Sequence, residues 1–276
     1  MKTTTQAVGA GAVPRIAALA VAVAVVLAVA PLPAAPAASG QDWTPEAQQF
    51  LYELNRARWN PGLVGLDSRV VEPQPPLAVN DDLADAAAFR SDEMAAYDYF
   101  AHQSPVTGDW PNEVARAHGY SLPFYWPDDA NNIESIHYGH PTPSGALQSL
   151  TDSEQHRVHL LGQGWYGTHR EAGVGVHLED RIWTFLSATD GSETPFLTGV
   201  VFDDANENGV MDLGEGLSGV TVSAGYQQTV TNAGGGWSIP VAAGPYDVSA
   251  SGPGFDGTAS ASVEVGGVTF AAKPPA

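Results

Sequence analysis

Along this 276-residue chain the spacing of apolar side chains changes once, and the architecture the sequence can support changes with it. From Thr44 to Asp190 apolar residues recur mostly at helical intervals. From Phe196 onward Gly, Val, Thr and Ser dominate, and the pattern becomes short alternating runs. A helical period needs a helix with one buried face, and alternation needs a half-buried strand. The join, Asp190-Gly191-Ser192-Glu193-Thr194-Pro195, is polar and rich in turn formers, as a linker is. The expectation is a helix-rich domain over 44–190, a linker over 191–196 and a β domain over 197–276.

Helix boundaries in the first domain are marked by local chemistry. Thr44-Pro45-Glu46 supplies an N-cap, a proline at the first helical position and an acid in the first turn. Ala47, Phe50, Leu51, Leu54 and Ala57 follow on one face. A second helix is capped by Asn80 and led by Asp81 and Asp82, with the stripe Leu83, Ala86, Ala87, Met94 and Tyr97. A third starts at Thr142-Pro143 and carries Ala146, Leu147, Leu150, Val158 and Leu161. Two alternating arms, Gly173 to Leu178 and Arg181 to Leu186, flank Glu179-Asp180 and predict a hairpin. Helices combined with an antiparallel sheet predict an α+β domain.

The N-terminus reads as a secretory signal over 1–39: Lys2 and Arg15, an apolar run from Ile16 to Ala30, then Pro31, Pro33 and Pro36 among small residues. The run is short for a membrane span, so cleavage between Ala35 and Gly40 and secretion are expected, with no stable span left afterwards. The chain has no cysteine, so stability must come from core burial, to which a bound metal could add. After the signal, nine basic residues face 31 acidic ones, a net charge of −22. That balance argues against nucleic acid or anionic lipid surfaces as partners and favours cations.

Several short motifs occur in a fixed order: Leu54-Asn55-Arg56-Ala57-Arg58, Ser91-Asp92-Glu93-Met94, Tyr99-Phe100-Ala101-His102, Ala117-His118-Gly119-Tyr120, Glu134-Ser135-Ile136-His137-Tyr138-Gly139, Ser153-Glu154-Gln155-His156-Arg157 and Gly173-Val174-Gly175-Val176. Together they resemble the CAP superfamily of cysteine-rich secretory proteins, antigen 5 and pathogenesis-related 1, in its cysteine-free bacterial form. The resemblance implies an α-β-α sandwich with a cleft of two histidines and one or two acids, which fall on His102, Glu134 and His156. The second acid of that pattern falls at Ser153, where there is no carboxylate. Two imidazoles and a carboxylate can hold zinc or a similar cation. Asp152, four residues before His156, is expected to orient that ring in place of the missing acid.

In the second domain Asp204 to Glu215 fits the twelve-residue calcium-loop template. Asp204, Asn206, Asn208, Asp212 and Glu215 offer side-chain oxygens, Val210 offers its carbonyl, and Gly209 allows the sharp turn. Strand-like flanks, Leu197 to Phe202 and Gly219 to Ser223, exclude an EF-hand. The run through Val222, with the later strands around Trp237 and Tyr246, resembles the calcium-binding B-type repeats of serine–aspartate-rich adhesins. That resemblance implies a small prealbumin-like or Ig-like β-sandwich. Calcium is expected to be structural.

These readings favour a secreted, non-enzymatic binding module whose cleft holds a metal and a small apolar or lipid ligand or an extracellular polymer. Tyr120, Phe124, Tyr125 and Trp126 are the candidate aromatic rim. One alternative is a metal-dependent peptidase with Glu134 as base, although neither His-Glu-x-x-His nor Gly-x-Ser-x-Gly occurs. The other is a surface adhesin with a vestigial cleft. The sequence carries no signal for oligomeric state.

Overall fold

In the computed structural model, which describes residues 43–254, 258–266 and 270–271, helix α1 (Pro45–Trp59) starts at the predicted cap. Thr44 Oγ1 accepts the Ala47 amide at 3.1 Å, and Ala47, Phe50, Leu51, Leu54 and Ala57 are all buried. Helix α2 (Asp81–Ala96) starts where Asn80 Oδ1 accepts the Leu83 amide at 3.0 Å. Its stripe is buried except for Tyr97, which sits at the C-terminal end and is 62% exposed. A short α3 (Pro111–Ala117) follows. The predicted third helix is two helices, α4 (Pro143–Asp152) and α5 (Glu154–Leu160), divided at an extended Ser153. The Asp-Ser-Glu run places side chains that compete for backbone hydrogen bonds at the break. The signal segment falls outside the described residues.

Strands β1 (Ala78–Val79), β2 (Glu134–Tyr138), β3 (Glu171–His177) and β4 (Ile182–Ala188) form one sheet in the order β1-β3-β4-β2. Strands β3 and β4 are the predicted hairpin, paired from Glu171 with Ala188 to His177 with Ile182. Alternation sends Trp183 and Phe185 towards α1 and α4, where Phe50 stacks on Trp183 at 5.8 Å. Leu186 and Ala188 face the other way, towards α2 and α3. The sheet therefore lies between two helical layers. Gly173 and Gly175 explain how closely α2 approaches: a Cβ there would come 2.1–2.2 Å from backbone atoms of Leu83, Ala84 and Ala87. Only hydrogen fits at these positions. Each fully buried Leu or Phe side chain in these layers contributes about 2–3 kcal/mol.

Beyond Pro195 lie β5 (Phe196–Val200), β6 (Thr221–Ala224), β7 (Gln227–Val230), β8 (Gly236–Pro240), β9 (Gly244–Ser251), β10 (Ala259–Val265) and β11 (Phe270–Ala271). They form two sheets, β10-β9-β6-β7 and β11-β5-β8. Both contribute to one core of Leu197, Val222, Trp237, Ile239, Val248 and their neighbours. The late, weakly alternating segment supplies β10 at one sheet edge and β11, which runs parallel to β5.

The two regions share an interface. Gln48 of α1 is buried and accepts from Asn232 Nδ2 at 2.9 Å. The Val79 amide donates to Ser238 Oγ at 2.6 Å. Tyr52 Oη accepts the Met211 amide at 3.2 Å, and its ring lies 6.4 Å from that of Phe202. Gly236 lets β8 reach α1, since a Cβ there would overlap the Gln48 amide. All described residues accordingly fall in one compact unit.

Candidate binding cleft and calcium loop

Strand β2 is an edge strand, and the cleft is built around it. Its Glu134 pairs in register with Leu186, so the carboxylate points to the α2 side. There Glu134 Oε2 accepts from Arg90 Nε at 3.0 Å, and Glu134 Oε1 lies 2.8 Å from His102 Nδ1. The Glu134 and Arg90 side chains are fully buried, while that of His102 is 39% exposed. Sequence reading missed Arg90, yet every N–H of its guanidinium is used. Besides Glu134 it donates to Glu93 Oε2 at 2.9 Å, Tyr99 Oη at 2.6 Å, and the carbonyls of Ala101 and His102 at 2.6 and 3.0 Å. Tyr99 in turn donates to Glu93, and Ser104 Oγ reaches the other Glu93 oxygen at 2.9 Å. Burial opposes the charge on Arg90, but its contacts with Glu134 and Tyr99 outweigh that and hold its pKa above the ordinary arginine value. The clue in the sequence was a charged residue continuing the apolar stripe between Ala87 and Met94.

The second predicted imidazole, His156, lies on α5. Its pKa is lowered by burial and then by the nearby His102, which favours the neutral ring a metal needs. Burial first, and then His140 and His156, lowers the His137 pKa to about 4. The His137 and His140 rings stack at 5.3 Å. His102 contacts Glu134 directly, and His156 lies near enough to His102 and His137 for charge on one to act on the other. Glu134 spends its two oxygens on Arg90 and His102. Among the described residues, no three His, Cys, Asp or Glu side chains stand ready to hold a metal.

Two expected roles are not met by the geometry. Asp152 does not orient His156, because the break at Ser153 puts them on different helices and Asp152 Oδ1 accepts from Gln148 instead, at 2.9 Å. Ser153 supplies only the backbone of that break. The expected rim is also split. Tyr120 and Trp126 belong to the core, and Tyr120 Oη donates to Glu171 at 2.8 Å. Phe124 and Tyr125 are exposed and meet edge to face at 5.5 Å. The aromatic pair associated with the cleft elements is Phe100, two residues before His102, with Tyr138 at the end of β2; their rings are 6.1 Å apart.

A second histidine cluster lies in the core. His159 bridges Ser135 Oγ at 2.7 Å and Ser187 Oγ at 2.9 Å, and His169 Nδ1 lies 2.8 Å from the same Ser187 oxygen. The His169 Nε2 atom is buried without a hydrogen-bond partner. Burial first, and then nearby positive charge from Arg58 and Arg170, depresses the His169 pKa to about 3.

In the Asp204–Glu215 loop, Asp204 accepts the Asn208 and Gly209 amides at 2.9 and 2.8 Å. Asn206 Oδ1 accepts the Asn208 amide, and both Asn side chains donate to Asp212 Oδ2 at 2.7 Å. Glu215 Oε2 accepts the Asp212 amide at 2.9 Å. The turn uses positive φ at Glu207 and Gly209, 59° and 75°. Hydrogen bonds thus join Asp204, Asn206, Asn208 and Asp212, and Glu215 reaches the Asp212 amide, while Asp204, Asp212 and Glu215 are not gathered as a three-carboxylate metal group. The oxygen-rich donor set suits a hard cation.

No protein-family model matches the chain. Over 109 residues it is 31% identical to the uncharacterized protein YkwD of Bacillus subtilis, covering 40% of this chain and 38% of that one. The chain thus spans less than two fifths of the curated relative's length. Among solved structures it is similar to an extracellular protein containing a SCP domain from Bacillus anthracis, at 26% identity and TM-score 0.40, covering 52% of this chain and 40% of that chain. It is also similar to an outer surface protein of Borrelia burgdorferi, at 12% identity and TM-score 0.37, covering 51% and 90%. A cysteine-rich secretory protein of Staphylococcus aureus gives 16% identity and TM-score 0.33, covering 52% and 40%. No helix among the described residues is long and apolar enough to cross a membrane. Of these three structures, two are described as of the SCP or cysteine-rich secretory type and one as an outer surface protein.

Proposed function

We propose that the 44–190 region is an extracellular CAP-type binding module, with the cleft at His102 and His156 as its ligand site and the Asp204–Glu215 loop as a structural calcium site. The observation that carries the cleft reading is the chain Arg90–Glu134–His102, with contacts of 3.0 and 2.8 Å. A carboxylate held from behind by a buried guanidinium fixes the imidazole through Nδ1 and leaves Nε2 of a part-exposed ring for a ligand. Glu134 therefore serves as the group that aims His102, in place of the metal-ligand role read from the sequence. With His156 neutral and close by, the cleft offers two imidazole nitrogens to a borderline cation such as zinc, with the remaining positions open to an exogenous ligand.

Binding is favoured over peptide hydrolysis because a hydrolytic base must be free to take a proton from water. Both Glu134 oxygens already have partners. Phe100 and Tyr138 supply an apolar flank for a small ligand. The test is zinc titration of the wild type, His102→Ala/His156→Ala and Glu134→Gln. The double variant should lose the site, and Glu134→Gln should weaken it roughly 10–100-fold without abolishing it. Equal zinc affinity in wild type and double variant would remove the cleft as the site.

A further inference from the structure

Strand β2 has two faces, and the Arg90–Glu134–His102 chain uses only one of them. Glu134 points to the α2 side, whereas His137 pairs in register with Trp183, which packs on the α1 and α4 side. The alternation of the strand thus puts His137 across the sheet from Glu134. Past Tyr138 the chain turns at Gly139, whose φ of 112° favours glycine. The turn brings His140 back to His137, and the two ring centres are 5.3 Å apart. The backbone of this turn is held in place. The Gly139 amide donates to the Arg181 carbonyl at 2.9 Å, and Trp183 Nε1 donates to the His140 carbonyl at 2.8 Å.

The nitrogen atoms of the pair are poorly occupied. His137 Nε2 is buried and has no hydrogen-bond partner. Leaving such an atom unpaired costs about 1–3 kcal/mol, and a bound water or ion is the usual means of recovering it. His140 is exposed, and its Nδ1 rests on the first turn of α4, where a Cβ on Gly145 would fall 2.6 Å from it. Its Nε2, on the far side of the ring, is clear of that contact. A water can pair with one nitrogen, but two adjacent imidazoles also make the donor pair of a transition ion. Two imidazoles bound to one ion at about 2.0–2.1 Å have ring centres roughly 4.5–5.5 Å apart. The observed separation already lies in that range. After burial, His140 and then His156 act on the His137 pKa, so both are its electrostatic neighbours.

We propose that His137 and His140 form a second metal site, distinct from the His102 cleft, that captures a borderline divalent transition ion, Cu2+ above all. Imidazole suits such ions, and Cu2+ binds nitrogen donors more tightly than its divalent neighbours do. The remaining positions fall to water or an exogenous ligand, since among the described residues no three His, Cys, Asp or Glu side chains form a metal group. The net charge of −20 raises the concentration of cations around the chain. The inference stands on the α4 side of β2 and does not rest on the cleft reading.

Isothermal titration of the full chain with CuCl2 at neutral pH tests it, in a weakly coordinating buffer with excess Mg2+ to occupy surface carboxylates. His102→Ala removes the cleft pair, keeps His156 and should still bind one Cu2+ per chain. In that background His140→Ala, a change at an exposed side chain, and His137→Leu should each weaken this ion roughly tenfold or more, because a chelating pair is reduced to one donor. Electron paramagnetic resonance of His102→Ala at one equivalent of Cu2+ should show nitrogen coupling from two imidazoles, reduced in both variants. Circular dichroism checks that each variant is folded. If the cleft binds no metal, wild type and His102→Ala will titrate alike while this ion remains, so the two readings fail separately. Absence of Cu2+ binding in His102→Ala would overturn the proposal. Affinity and nitrogen coupling indifferent to His137 and His140 would do the same, and would assign the ion to surface groups.

Discussion

Replacing Arg90 by methionine tests the network behind the cleft. The side chain is fully buried, as is that of Glu134, and Glu93 is only 4% exposed. Methionine fills similar space but leaves two buried carboxylates, the Tyr99 hydroxyl and the Ala101 and His102 carbonyls without their common donor. Removing one partner of a buried ion pair costs about 3–5 kcal/mol, mostly because the remaining charge is stranded. For comparison, the exposed Arg69–Asp67 pair should be worth less than about 1 kcal/mol. Urea unfolding at neutral pH, with an unchanged slope, should therefore give Arg90→Met a stability loss of about 3–5 kcal/mol. A melting temperature lower by roughly 6–20 °C should accompany it. Adding Glu93→Gln should recover part of the loss, because one stranded charge becomes a neutral amide. Arg90→Lys should fall between, since three donors replace five in a different geometry. A loss below about 1 kcal/mol would mean that water or rearrangement satisfies these groups, and the reading of Arg90 as the cleft's support would fail.

Acid should destabilise the protein through its buried histidines. His169 titrates near 3 when folded and at the ordinary 6.5 when unfolded, so the unfolded chain takes up a proton first. Stability is retained above pH 6.5 and falls as pH drops towards 3, by up to about 4–5 kcal/mol from this side chain. His169→Phe should flatten that part of the pH–stability curve, and an unchanged acid limb would refute the assignment. Gly175→Ala should cost about 3 kcal/mol or more, since its methyl would meet α2 backbone atoms that cannot move aside; a near-neutral melting temperature would show that the α2 contact is looser. Chelation should lower the melting temperature. At free calcium a hundred times its dissociation constant, bound ion adds about 2.7 kcal/mol, and Asp204→Ala should abolish the difference. Identical wild-type melts with and without EDTA would dismiss the calcium proposal.

Caps and turns were the most legible features because they depend on a few adjacent residues. Thr44 and Asn80 each close a local hydrogen bond, and the β3–β4 hairpin follows from alternation on either side of Glu179-Asp180, although the strands stop at His177 and Ile182 and leave Leu178 and Arg181 in the turn. Tyr97 misled for an equally local reason: it keeps the helical spacing but lies just past the last turn, where the face no longer packs. The Asp152–His156 pairing failed because it assumed one unbroken helix, and a single extended residue at Ser153 separates the two side chains.

Sequence alone determined the two periodicities, the helix starts, the hairpin and the oxygen-rich loop, since each is written in residues within a few positions of one another. Tertiary structure alone decided that the Glu134 carboxylate meets both Arg90 and His102. Arg90 and Glu134 are 44 residues apart and meet only because α2 covers the side of β2 to which Glu134 points. A residue's type states which bonds it can form, whereas the packing of distant elements in a low-dielectric interior selects the partner it keeps.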